Sequence, residues 1–242
     1  GVDTMSLMGE KEEKSRMAIG VLGFESRSER GSDRYIAEGL TDDIINRLII
    51  IRRFRVTSDT KIKQAAEVQA TAGIIDVARK LEATMLLMGS VQRSQDSVVI
   101  RARLFDINKE SYVWGKTFKR TLASLVSIQS EIVQGIADQL EVDLNEMEEL
   151  RVNSKATKSA TAYDFYLKGR SLYYRYQDAS NDSAIVQFRE AIKLDPDYAR
   201  AWAGLGDALA QRHGRFGREV AWIDSSLVAG LKAVSLDSTL SE

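Results

Sequence analysis

The chain has 242 residues with 34 Lys and Arg against 35 Asp and Glu, and this balance announces neither a nucleic-acid binder nor an acidic tail. It has no cysteine, which removes disulfides, cysteine zinc sites and thiol catalysis together, and its single histidine, His213, excludes a multi-histidine metal cluster. A chain of this length buries a substantial core in one or two domains.

Gly1-Val-Asp-Thr reads as a remnant of expression and Met5 to Arg16 as a glutamate-rich linker, so residues 1–16 are set apart from the fold. No run approaches the roughly 18 apolar residues needed to cross a bilayer, and no secretory leader is present. Localisation is left open by this: the chain reads as a soluble fragment, and a membrane-anchored parent stays open.

Ala18-Ile-Gly-Val-Leu-Gly-Phe24 is apolar on both faces, as expected of a buried strand in an α/β sheet. After a polar loop, Ile36, Leu40, Ile44 and Leu48 recur every four residues and predict a helix over about 35–50. Arg55 to Ser58 reads as a second strand, and Ile74, Val77, Ala78 and Leu81 as a second helical stripe. Three strand-length runs follow, Thr84 to Arg93, Ser97 to Asp106 and Ser111 to Arg120, separated by polar turns and expected to form an antiparallel meander. In the middle run Val98, Ile100, Ala102 and Leu104 alternate with Val99, Arg101, Arg103 and Phe105, so one face is buried and the other is partly wet. Leu125, Ile128, Ile132, Ile136 and Leu140 predict a last amphipathic helix. The order is that of a mixed α/β sandwich, with residues 17–142 as the first domain.

Four blocks of this region, Ala18 to Phe24, Ile36 to Ile44, Leu87-Met-Gly-Ser-Val-Gln-Arg93 and Val113-Trp-Gly-Lys-Thr-Phe-Lys-Arg120, resemble the bacterial domain related to the amino-terminal part of TolB and to the flagellar lipoprotein FlgO. The resemblance implies a domain commonly followed by tetratricopeptide repeats and found downstream of class III adenylate or guanylate cyclase domains and of winged-helix regulators. Gly23 departs from the family's pattern, standing where a proline is usual.

The chain offers little chemistry. Gly20-Val-Leu-Gly23 lacks a third glycine and a turn into a helix, and Gly89-Ser-Val has no following Lys-Ser or Lys-Thr, so neither is a phosphate loop. No catalytic residue, metal site or cofactor is expected. Glu38, Thr41 and Asp42 are weak ligand candidates, because carboxylates four apart share a helical face; hydrated acids near a helix start explain them as well. Arg52, Arg53 and Arg55 with Lys61 and Lys63, and Arg101 with Arg103, form basic patches that lack a recognition helix, so no nucleic-acid binding is expected. Solvated surface or contact with an anionic ligand or partner are the readings left for them.

Residues 143–160 read as a polar linker and 161–242 as paired antiparallel helices. Ala184, Phe188 and Ala191 share a helical face closed by Pro196, and Trp202, Leu205, Gly206 and Leu209 begin a second copy, with Ala233 to Asp237 echoing Ala191 to Asp195. These residues resemble tetratricopeptide repeats, whose period is about 34 residues. The spacing from Gly169 to Ala184 is longer than the family's by about one helical turn, the second copy has an excursion through His213-Gly-Arg-Phe-Gly-Arg, and Ser238 replaces the closing proline. Two divergent repeats are few for a solenoid, so the expectation is a truncated array. Ala184, Phe188, Ala191, Pro196, Trp202, Leu205 and Gly206 are its expected structural anchors, with Trp202 and Phe188 interlocking.

Tyr163, Phe165, Tyr166, Tyr173, Tyr174 and Tyr176 are more aromatics than one interhelical seam hides. Tyr166, Tyr173 and Tyr174 with Arg170 and Arg175 are therefore the candidates for a partner-facing surface, since aromatics and arginine bind well in desolvated pockets. The leading expectation is a non-catalytic regulatory and protein-interaction module of a bacterial signalling protein. The alternatives are a small-ligand-binding segment controlling an attached class III cyclase, and an autonomous enzyme with an unrecognised site. Partners expected are a protein or attached effector domain, with a homodimer also open.

Overall fold

The computed structural model describes residues 16–28, 33–57, 73–94, 97–121, 124–217 and 219–241. Lys61 and Lys63, and most of the 1–16 segment, lie outside them. The chain divides into two compact units, residues 1–119 with 127–154 and residues 120–126 with 155–242.

The first unit holds a six-stranded sheet made of β1 (Met17–Val21), β2 (Glu25–Ser26), β3 (Phe54–Val56), β4 (Met85–Ser94), β5 (Ser97–Asp106) and β6 (Ser111–Thr121), in the order β3-β1-β4-β5-β6, with β2 paired to β4. β1 lies parallel to β3 and to β4, while β4 and β5 are antiparallel, with Leu87 opposite Leu104 and Ser90 opposite Arg101. β1 is a central strand with Ala18, Ile19 and Val21 all buried, so both of its faces are covered, which explains its unbroken apolar run. The expected strand through Phe24 stops at Val21, and Phe24 instead gives its amide to Thr41 Oγ1 at 2.9 Å. The expected strands between 84 and 120 are found as β4, β5 and β6.

Helix α1 (Arg34–Ile50) and helix α3 (Leu125–Gln139) meet through a buried hydrogen bond from Gln129 Nε2 to Asp43 Oδ2, 3.2 Å. Trp114 of β6 packs on α3 at Gly135, where a Cβ would stand 2.8 Å from the indole ring. The other sheet face is covered by the short α2 (Ile74–Lys80), whose Val77 and Ala78 join Leu22, Leu81, Leu86, Met88 and Phe105 in one cluster.

Residues 143–160, expected as linker, contain α4 (Glu146–Asn153). Its start is a capping box: Asn145 Oδ1 accepts from the Glu148 amide and Glu148 Oε2 from the Asn145 amide, both at 3.0 Å. Its end is held by buried Arg47, which donates to the carbonyls of Val152 and, at 2.9 Å, Ser154. Only Val152 and Glu148 of this helix are buried, so the sequence shows no apolar stripe there.

One residue pins the start of α1. Asp33 is fully buried and accepts from Ser26 Oγ, from Ser28 Oγ at 2.7 Å and from the Arg93 amide at 3.0 Å, tying β2 and the end of β4 to the helix. Burial alone would raise its pKa, yet these hydrogen bonds outweigh it and hold the carboxyl below its ordinary value.

From residue 155 onward the described regular structure of the second unit is helical: α5 (Ala160–Tyr173), α6 (Asp178–Leu194), α7 (Ala199–Gly214), α8 (Ala221–Leu236) and a closing 3-10 turn, Ser238–Ser241. Ala184, Phe188, Ala191 and Leu205 are buried, and the Phe188 ring fills the space left at Gly169 and Gly204. Trp202 is only half-buried and donates Nε1–H to the Pro196 carbonyl at 2.9 Å. The fully buried ring beside it is Tyr198, 5.1 Å from that of Tyr166, which in turn is 6.1 Å from Phe188. The second hairpin closes differently. At Gly206 a Cβ would stand 3.3 Å from the Ser226 carbonyl oxygen, and Ser226 Oγ donates to the Gly206 carbonyl at 2.9 Å. Backbone approach there takes the place of a ring.

Candidate partner-binding surface

The last turn of α5 and the connection after it bring three tyrosines together. The ring of Tyr173 lies 5.2 Å from that of Tyr174 and 6.1 Å from that of Tyr176. Helical spacing carries Tyr173 and Tyr174 to the helix end, and Tyr176 is turned back by a left-handed backbone with φ of 54°. Tyr174 and Tyr176 remain 51% and 47% exposed, a wasteful arrangement for rings with no other use.

Two guanidiniums stack on them: Arg170 lies 5.4 Å from the Tyr174 centroid and Arg215, from the end of α7, 4.9 Å from that of Tyr176. Asp207 of α7 completes the group. Although its side chain reaches solvent, partial loss of hydration raises its carboxyl pKa against the lowering pull of Arg170. Tyr173 is pushed up to about 12, first by loss of water and then by the charge of Asp207 and the neighbouring tyrosines. The result is an aromatic surface edged by cations, suited to flat side chains and carboxylates of a partner chain.

The structure separates the residues that sequence reading grouped. Tyr166 is buried with Tyr163 and serves the hairpin core, so it is removed from the partner surface; its helical spacing already placed it on the packed face. Tyr173, Tyr174, Arg170 and Arg175 lie at the helix end, with Arg175 exposed. Arg215 and Asp207 were missed, because no local pattern links α7 to the end of α5. Of the weak ligand candidates Glu38, Thr41 and Asp42, Glu38 pairs with Arg34 at 2.8 Å, and Thr41 is buried, donating to the Ala37 carbonyl while accepting from Phe24. Among the described residues no group of three or more His, Cys, Asp or Glu side chains is placed to hold a metal.

Residues 175–212 match the model of the tetratricopeptide repeat. The chain is 28% identical over 191 residues to a Rhizobium meliloti protein that carries the name adenylate cyclase 3, a match covering 79% of this chain and 32% of that protein. It thus spans about a third of the relative's length. Solved structures with likeness include TolB from Acinetobacter baumannii, TM-score 0.39 at 12% identity over 52% of this chain and 28% of that one. PelC from Paraburkholderia phytofirmans, solved as a dodecamer, gives 0.35 at 17% over 53% and 91%. The LpoB C-terminal domain from Escherichia coli gives 0.36 at 15% over 47% and 95%. The chain is a mixed α/β domain followed by tetratricopeptide repeats, the composition the sequence blocks implied. Such repeats are a protein-interaction scaffold. Among the described residues no helix is long and apolar enough to cross a membrane.

Proposed function

We propose that the chain is a non-catalytic regulatory module of a bacterial signalling protein, binding a protein segment at the tyrosine and arginine surface of its repeats. The observation that carries this is the exposed Tyr174 and Tyr176 pair, each ring backed by a stacked arginine on a tetratricopeptide hairpin. A partner with acidic and aromatic side chains would desolvate both rings and meet both guanidiniums. Peptide display on the whole chain tests it. Enriched peptides are expected to carry acidic and aromatic residues and to lose at least about tenfold in affinity, about 1.4 kcal/mol, on the Tyr174→Ala, Tyr176→Ala double variant. Peptides that bind both proteins equally would sink the reading.

A second reading is favoured by the cyclase-named relative: the module regulates an attached class III adenylate or guanylate cyclase in response to a small ligand. Cyclase output from the parent protein, measured with and without the double variant and with ligand-site variants in the α/β unit, separates the two. Nucleotide turnover by the isolated chain, abolished by substitutions in one pocket, would replace both with an enzyme.

A further inference from the structure

We infer that the α2 side of the sheet in the first unit binds a small organic phosphate with a flat apolar body. β5 sends Ile100, Ala102 and Leu104 into the core, so Arg101 and Arg103 must leave by the opposite face. That face is covered at its β1 side by α2, and beyond Ile74 it opens into a cleft of about 600 Å³. Leu22, Ile74 and Met88 line its apolar part, while Arg27, Arg101 and Arg103 line its polar part with Glu25.

Among the described residues the charge there is poorly compensated. Arg27 and Arg101 have no ion-pair partner among the described residues, and Arg103 stacks on the Tyr112 ring at 4.7 Å. Lys116, also at the rim, is taken by Glu131 at 3.7 Å. Among the described lining residues three guanidiniums therefore face one carboxylate. Ordinary solvated surface has cations mixed with anions; here they converge on a concavity, where field lines concentrate and favour an anion.

The number of forks selects the ligand. One arginine satisfies both oxygens of a carboxylate, so several converging guanidiniums are better matched by the oxygens of a phosphate. The Tyr112 ring and the apolar wall then offer a flat surface to the rest of the molecule. At Gly115 a Cβ would stand 3.3 Å from Arg103 Cγ, so glycine leaves the arginine stem room to lie along the sheet. The site uses no residue of the repeats. It supplies the second functional reading with a ligand position, and it stands or falls without a cyclase.

The test uses the whole chain with adenosine monophosphate and phenyl phosphate as probes, followed by amide chemical shifts and calorimetry. Both are expected to bind, with saturation by about 1 mM, and to shift the Ser90, Ala102 and Gly115 amides. Affinity should fall as salt rises, because the Debye length shrinks below about 10 Å above 0.1 M. Arg101→Ala with Arg103→Ala should weaken binding at least tenfold. Gly23→Phe is a second probe of the same cleft, since a Cβ at Gly23 meets nothing within 4 Å, and it should block both ligands without removing a charge. Absence of binding by both probes, or binding that both variants leave unchanged, would overturn the inference.

Discussion

The ring of Phe188 lies against Gly169, where a Cβ would stand 2.7 Å from Cε1, and against Gly204, where it would stand 2.6 Å from the same atom. One aromatic on α6 thus sets the approach of α5 and α7 together. Phe188→Ala leaves a cavity and should cost about 3–5 kcal/mol. Gly169→Ala and Gly204→Ala overpack the same seam and should each cost about 1–3 kcal/mol. Trp202→Ala should cost less than Phe188→Ala, because that indole is only half-buried. Urea denaturation followed by helical circular dichroism measures all four, and a Trp202 variant as damaged as the Phe188 variant would contradict this packing.

Asp33 should make the first unit acid-sensitive. Its pKa is depressed in the folded protein, so its stabilisation is present above the unfolded value of 3.8 and is lost as pH falls through the lower folded value. Asp33→Ala, which strands the donors of Ser26, Ser28 and Arg93, should cost about 3 kcal/mol at neutral pH. Asp33→Asn should flatten the acid limb of the stability profile. An acid limb unchanged in Asp33→Asn would reject the assignment.

Arg47 holds the end of α4 through the carbonyls of Val152 and Ser154, with that of Arg151 at 3.4 Å. Arg47→Met keeps most of the stem and removes the donors, at an expected cost of about 2–4 kcal/mol. Amide exchange within 146–153 should accelerate more than in β4 and β5. Equal acceleration everywhere would mean global loss of the fold, not release of this helix.

Tyr173 predicts an alkaline effect in the repeats. Its folded pKa of about 12 lies above the ordinary 10, so the associated stability is complete below about pH 10 and is lost as pH rises through about 12. Ultraviolet titration should show a late phenolate step, and Tyr173→Phe should reduce that step by one group. Asp207→Asn, which removes the second cause of the shift, should bring the step to lower pH.

Much of the fold was legible because it repeats along the chain. The four-residue recurrence of Ile36, Leu40, Ile44 and Leu48, the alternation in 97–106 and the Ala184, Phe188, Ala191 spacing each report a local period, and each became the expected helix or strand. By itself the sequence also determined the order of a mixed α/β domain before tetratricopeptide repeats.

Tertiary structure alone decided which of several similar side chains does which work. Tyr198 is buried and Trp202 is not, because the ring that meets Tyr166 depends on where α5 lies, which no residue of α7 encodes. Tyr174 joins Arg170 within one helix end, but Tyr176 finds Arg215 only when α7 returns beside it. Helix α4 is stabilised by a capping box and by the distant Arg47, with too few buried apolar residues to mark its pattern. Arg101 and Arg103 show the same division: alternation fixed the face they leave by, and only the tertiary structure brought them to one cleft with Arg27. Periodicity records what a segment buries, whereas the neighbour it buries against is set by contacts between residues far apart in the chain.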